Sequence, residues 1–118
     1  MDNQFRTIAT HTAYLAYKQN GGLEDGCRLC EKEPLQTYNY WKLVENGFPY
    51  DRVASKHTML IPKRHAAEDA LTEAELKELK SIKRSDELQH YDVMLETTTS
   101  NSNIPDHYHL HLLVAKSE

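Results

Sequence analysis

The segment from Asp106 to Val114 alternates histidines with aromatic and aliphatic residues, in the order Asp-His-Tyr-His-Leu-His-Leu-Leu-Val. Successive side chains of a β-strand point to opposite faces of a sheet. A strand in this segment would therefore place His107, His109 and His111 on one face and mostly apolar side chains on the other. The apolar face would pack into a core, which leaves three imidazoles together for chemistry. The segment thus predicts a functional site built on a β-sheet.

Hydrophobic spacing predicts two helices. An N-terminal helix is expected over 4–19, ending at Gly21-Gly22, and the main helix is expected over 71–84. Thr72 followed by Glu75 is a capping-box pattern that starts the main helix. The apolar stripe of the main helix comprises Leu71, Leu76, Leu79 and Ile82.

Alternating and apolar runs predict four strands. They cover residues 40–45, 56–61, 91–97 and 108–114, and Pro62 closes the second. Several strands with one strong helix indicate an α+β fold with a mainly antiparallel sheet. A length of 118 residues suits a single domain that spans 1–118.

Composition and charge argue against several classes of protein. The formal net charge is −4 without a basic tail, so nucleic acid is not an expected partner. The N-terminal region is polar, and no apolar stretch approaches the roughly 20 residues that a membrane span needs. We therefore expect a cytoplasmic protein without a membrane partner.

Cys27 and Cys30 are the two cysteines, spaced Cys-x-x-Cys. The pair is typical of half a metal site or of a redox dithiol, and two cysteines are few for a secreted disulfide scaffold. Its position after the Gly21-Gly22 turn favours the metal site. A tetrahedral zinc site would need two further ligands, and His65 is predicted as the fourth, beside one histidine of the row.

Two chemistries suit the row of histidines. All three imidazoles could hold one catalytic metal ion. Alternatively, one imidazole attacks phosphorus and forms a covalent intermediate. A divided arrangement accounts for more residues, because one histidine of the row then joins the cysteines and His65 while the others face a substrate.

These residues resemble the histidine triad (HIT) family in four landmarks that occur in the family's order. The resemblance covers residues 27–114. The segment 107–113 matches the alternating triad, and 57–65 resembles a strand that runs into Pro-Lys-x-His. Residues 46–50 resemble the Asn-x-aromatic-Pro-Tyr turn of some branches, and Cys27-x-x-Cys30 resembles the knuckle of zinc-containing branches.

The resemblance implies a role for each matching histidine. His109 would be the nucleophile on the α-phosphate of a nucleotide, and His111 would contact the phosphate and assist proton transfer. His107 would join Cys27, Cys30 and His65 around a structural zinc ion. Family members break a phosphorus bond next to a nucleoside monophosphate and are often homodimers, so a homodimer is expected.

The stretch before the triad departs from the family pattern. Many members carry Gly-Gln-Ser there, whereas Ile104 takes the serine position in this chain. Asn103 and Ser102 are the predicted replacement contacts to phosphate. Asn46 is predicted to contact ribose or phosphate, and His57 to support the site by hydrogen bonding.

Three hypotheses follow. The first is a HIT-like nucleotide hydrolase or transferase that works through a nucleotidyl-histidine intermediate. The second, which the departure at Ile104 motivates, is a zinc-stabilised nucleotide-binding module with little or no catalysis. The third is a metalloenzyme whose metal sits on His107, His109 and His111.

Overall fold

The computed structural model describes residues 2–23 and 26–117. Its centre is a five-stranded antiparallel sheet with the strand order β1-β2-β3-β5-β4. The strands are β1 (Gln36–Thr37), β2 (Trp41–Glu45), β3 (Ala54–Pro62), β4 (Val93–Leu95) and β5 (Leu110–Ala115). The chain therefore has the α+β class and the antiparallel sheet that the sequence predicted.

Four α-helices accompany the sheet in the described part of the chain. They are α1 (Asp2–Phe5), α2 (Ile8–Gln19), α3 (Arg28–Glu31) and α4 (Glu73–Arg84). The prediction of one helix over 4–19 was wrong in this respect, because Thr7 has extended backbone angles and caps α2 with its side chain. None of the helices in the described ranges has the length and apolar character to cross a membrane.

The two faces of the sheet pack against different partners. On one face, α4 contributes Leu79 and Ile82 to a core that includes Leu60 of β3. On the other face, Leu29 of α3 packs against Met59. Because alternate residues of β3 point to opposite faces, the sheet separates a large apolar core from a second face that is available for a site.

The triad strand begins later than predicted. β5 starts at Leu110, so His107 and Tyr108 precede it. In the register that pairs Leu60 with Leu110, Tyr108 would lie opposite Pro62. Proline has no N–H to continue the ladder, and Tyr108 N–H donates instead to the carbonyl of Ala66 at 2.8 Å. β4 is likewise shorter than the predicted 91–97.

The apolar stripe of α4 also needs a correction. Leu76 is exposed, whereas the neighbouring carboxylate of Glu75 is almost completely buried. Glu75 completes the predicted capping box by accepting from the backbone N–H of Thr72 at 2.8 Å. It also accepts two hydrogen bonds from Arg64, at 2.7 and 3.1 Å. These hydrogen bonds compensate the buried carboxylate for its lost hydration.

We expect Arg64→Ala to lower the free energy of unfolding by about 1–3 kcal/mol, because the variant leaves the carboxylate of Glu75 buried without its partner. The hydrogen bonds from Arg64 hold the pKa of Glu75 at about 2, so the carboxyl stays charged near neutral pH. Urea denaturation measures the loss. The neighbouring exposed Lys63→Ala is the control, and equal stability of the two variants would contradict this account.

Candidate functional site

Four residues that are distant in the sequence form a cluster of thiols and imidazoles. One ligand atom from each of Cys27, Cys30, His65 and His107 lies within 4.8 Å of the other three. His107 Nδ1 is 3.2 Å from Cys27 Sγ and 3.4 Å from Cys30 Sγ. His65 Nδ1 is 3.4 Å from Cys30 Sγ. This Cys/His cluster could hold a metal ion, and its members are those that the sequence predicted.

Three local structures bring the cluster together. Cys27 caps α3 and Cys30 lies within it, so the spacing of three residues turns both thiols to one side. His65 follows the end of β3 at Pro62, and His107 precedes β5. Because β3 and β5 are neighbours in the sheet, their adjacent ends bring the two histidines close, with ring centroids 5.0 Å apart.

The second nitrogen of each histidine in the cluster has its own acceptor. His107 Nε2 donates to the carbonyl of Pro62 at 3.0 Å, and His65 Nε2 donates to Asp106 at 2.9 Å. These bonds place the protons on Nε2 and leave both Nδ1 atoms facing the thiols. Metal-binding histidines are commonly held in this way, so the surroundings of the cluster fit a metal ion as well as its donors do.

A cavity of about 370 Å³ opens on the sheet face that carries Met59. His109 and His111 line it, and His111 lies opposite Met59 in the β3–β5 register. Asn46 and Asn103, which the sequence analysis predicted as substrate contacts, also line it. The volume is within the range of small-molecule sites, roughly 300–1,000 Å³.

His109 is held in a single tautomer. Its Nδ1 donates to the backbone carbonyl of His107 at 3.0 Å, so Nε2 carries the lone pair. Burial lowers the pKa of His109, which favours the neutral ring. A neutral imidazole with one fixed nitrogen and one free lone pair is suited to nucleophilic attack.

His111 is oriented by a chain of hydrogen bonds. The backbone N–H of Tyr50 donates to His57 Nδ1 at 2.9 Å, so the proton of His57 is on Nε2. That proton is donated to His111 Nδ1 at 2.8 Å. His111 therefore carries its own proton on Nε2, which is buried and has no hydrogen-bond partner within residues 2–23 and 26–117. The cavity wall thus contains an N–H donor that a ligand oxygen could satisfy.

The remaining predicted contacts lie elsewhere. His57 is buried behind His111 and is not among the described residues that line the cavity, so it supports the site from within. Ser102 lines a neighbouring cavity of about 290 Å³, and its hydroxyl accepts from Ile104 N–H at 3.3 Å. His109 lines both cavities, so it shares the first with Asn46 and Asn103 and the second with Ser102, whereas His57 lines neither.

The N-terminal helices supply cavity residues that the sequence analysis missed. Arg6, Tyr14 and Tyr17 line the cavity with Phe48. The Arg6 guanidinium lies 4.4 Å from the ring centroid of Tyr14, and its Nε donates to the Phe48 carbonyl at 2.7 Å. The rings of Tyr14 and Tyr17 are each about 5 Å from that of Phe48. In the sequence, only the three-residue spacing of Tyr14 and Tyr17 could have indicated that these two residues act together, because it puts them on the same helix face.

The chain was compared with models of known protein families and with curated protein sequences, and nothing in either set matches it.

We expect His57 and His111 to stay neutral well into the acid range. Burial lowers the pKa of His57 to about 3 and that of His111 to about 2. NMR titration of the imidazoles measures this directly, with the signals assigned from His57→Asn and His111→Asn variants. A midpoint above about pH 6 for either ring, close to an ordinary histidine, would contradict the structure.

These shifts also set the pH dependence of stability. Both folded-state pKa values lie below the ordinary value of 6.5, so the unfolded chain binds protons that the folded chain does not. The contribution of the two neutral rings to the free energy of unfolding is therefore complete above pH 6.5. It decreases as the pH falls toward 3, because the unfolded chain is then stabilised by protonation. Each ring then costs about 1.4 kcal/mol of unfolding free energy per pH unit, which denaturation at a series of pH values measures.

Proposed function

We propose that the Cys/His cluster holds a structural zinc ion. Two thiolates and two imidazoles are the donor set of many structural zinc sites. Zinc bonds of about 2.0–2.3 Å place the ligand atoms of a tetrahedron roughly 3.5 Å apart, which is close to the sulfur–nitrogen distances of 3.2 and 3.4 Å. Four protein ligands leave no open position, so the ion would cross-link α3 to the ends of β3 and β5.

The tautomers argue against a catalytic metal on the three triad histidines. His107 Nδ1 faces the thiols, while His109 Nδ1 donates to a carbonyl and His111 Nδ1 accepts from His57. The three Nδ1 atoms therefore serve three different partners. These hydrogen bonds account for the orientations of the three rings without a metal ion shared between them.

A double Cys27→Ser, Cys30→Ser variant should lose its zinc, from about one ion per chain to none, because hydroxyls are poor zinc ligands. Elemental analysis after gel filtration gives the stoichiometry, and the melting temperature should fall with the metal. His90→Ala is the control, since His90 is exposed, and its ring contacts Tyr91 and donates to the carbonyl of Glu87 rather than facing the cluster. Full zinc retention in the double variant would favour the triad metal instead.

We further propose that the protein is a HIT-like nucleotide hydrolase or transferase that acts at the α-phosphate of a nucleoside phosphate derivative. The observation that carries this proposal is the state of His109, a neutral ring with Nδ1 bound to a carbonyl, in the wall of a nucleotide-sized cavity. The resemblance of residues 27–114 to the family's landmarks supports the same conclusion.

The reaction would proceed in two displacements. The Nε2 lone pair of His109 forms a bond to the α-phosphorus, and the bond to the leaving group breaks with its electron pair on the departing atom, which takes a proton from solvent. His111 Nε2–H would donate to a phosphate oxygen, and the carbonyl of His107 would stabilise the charged ring of His109. Water or another acceptor then attacks the phosphorus, returns the electron pair to Nε2 and releases its proton to solvent.

Ile104 favours one alternative, a zinc-stabilised nucleotide-binding module with little catalysis. This side chain lines the cavity and packs against the cluster around Leu29 and Met59, where many HIT proteins carry a serine donor. A missing donor weakens the stabilisation of developing charge. The alternative predicts nucleotide binding by calorimetry without turnover of any substrate.

His109→Ala should abolish turnover of an adenosine phosphoramidate and of a dinucleoside polyphosphate, by more than about 10³-fold in kcat/KM, because the nucleophile is removed. Chromatography of the released nucleotide measures it. Unchanged circular dichroism and zinc content show that the fold survives, and His90→Ala is again the matched control. Turnover that persists in His109→Ala excludes the nucleophile, and binding without turnover in the unmodified protein favours the alternative.

A further inference from the structure

The turn that carries the cysteines has two functional sides. On one side, Cys27 and Cys30 belong to the Cys/His cluster. On the other side, Arg28, Leu29 and Lys32 line the cavity. We call residues 27–32 the knuckle. Because the same six residues serve both places, whatever holds the cluster together also positions one wall of the cavity.

Lys32 is placed by fixed backbone contacts. Its N–H donates to the carbonyl of Leu29 at 3.4 Å, at the end of α3. Lys42 Nζ donates to the backbone carbonyls of Lys32 and Cys30, at 3.2 and 3.4 Å. The ammonium of Lys32 lies over Gly47, with Nζ 3.8 Å from where a Cβ would stand at that glycine. Lys32, Gly47 and Asn46 all line the cavity.

The ammonium of Lys32 has no ion pair or hydrogen bond with any residue of the described ranges. Its side chain is half-buried, and burial lowers the pKa of its ammonium more than the negative charge of Glu45 raises it. The only carboxylate among the described cavity residues is Glu31, which is paired with Arg28 at 3.1 Å. A half-buried cation without a partner has lost part of its hydration, and no ion pair or hydrogen bond compensates this loss until an anion binds.

Cationic side chains reach the cavity from more than one element. Among the described lining residues, the cations are Arg6, Arg28 and Lys32, and the carboxylate is Glu31. The two histidines that would meet the first phosphate are held by hydrogen bonds at Nδ1, to the carbonyl of His107 for His109 and from His57 for His111, and so present their Nε2 atoms to it. Lys32 follows α3, away from the segment that carries these histidines, so its ammonium can meet a second anionic group of the same ligand.

We propose that Lys32 binds a second phosphate group of a nucleotide whose first phosphate lies at His109, so that the cavity selects nucleotides with two or more phosphates. This inference rests on the proposed nucleotide specificity and adds the substrate class. The second phosphate is either the β-phosphate of a polyphosphate chain or a phosphate on the ribose. Both present the same oxygen acceptors to an ammonium.

Calorimetry with three non-reacting ligands tests the proposal: AMP, α,β-methylene-ADP and adenosine 3′,5′-bisphosphate, with the guanosine series in parallel. The zinc-loaded protein should bind one of the two bisphosphorylated ligands about ten- to a hundredfold more tightly than the monophosphate, as a charge-assisted hydrogen bond provides. Whichever ligand is preferred identifies the position of the second phosphate. The preference should weaken with added salt.

Lys32→Ala should reduce that preference to less than about twofold while the monophosphate affinity stays within about twofold, because only the second phosphate loses a partner. Lys63→Ala is the control, since it removes the same charge from an exposed turn that does not line the cavity. Zinc content must remain equal in all three proteins, which shows that the knuckle itself is intact.

The outcomes separate this inference from the proposed reaction. If Lys32→Ala and Lys63→Ala bind all ligands alike, or if the unmodified protein shows no preference in either nucleoside series, the role of Lys32 is wrong even when His109→Ala abolishes turnover. If the preference depends on Lys32 but no substrate is turned over, the second phosphate site stands and the hydrolase proposal fails.

Discussion

The completely buried ring of His107 connects the parts on which the rest of the site depends. Its Nε2 is bound to the carbonyl of Pro62 at the end of β3, and its Nδ1 faces the thiols of the knuckle. Its backbone carbonyl accepts from His109 Nδ1. One residue therefore joins the sheet, the candidate metal cluster and the tautomer of the ring that we propose as nucleophile.

Burial keeps the histidines on the second face of the sheet neutral. His57 and His111 lie on neighbouring strands and form a chain of hydrogen bonds that begins at the backbone of Tyr50. Low polarity lowers the pKa of both rings, so their hydrogen-bond directions are set without charge. Permanent positive charge comes from outside the sheet, from Arg6 before α2 and from the knuckle. Neutral donors and separate cations are a suitable combination for a phosphate ligand.

Local sequence patterns predicted those helices and strands that are determined by residues close together in the chain. The capping box at Thr72 and the strands predicted at 40–45 and 56–61 depend on near neighbours, and the structure confirms them as the start of α4 and as β2 and β3. The errors have tertiary causes. Glu75 is buried because Arg64 arrives from the turn after β3 to pair with it, and no helical periodicity contains that partner. The β5 ladder stops at Leu110 because the neighbouring strand ends in a proline.

The sequence by itself identified the thiols and imidazoles of the candidate site, since such residues at these spacings are typical of metal binding or catalysis. The sequence also identified His65 as a companion of the cysteines, and the distances agree. Only the tertiary structure decided that Asn46 and Asn103 line one cavity and Ser102 a neighbouring one, with His109 lining both. It alone brought Arg6, Tyr14 and Lys32 to the first of these cavities. The physical reason is that a cavity is formed between elements distant in the chain, so its lining depends on packing rather than on sequence spacing.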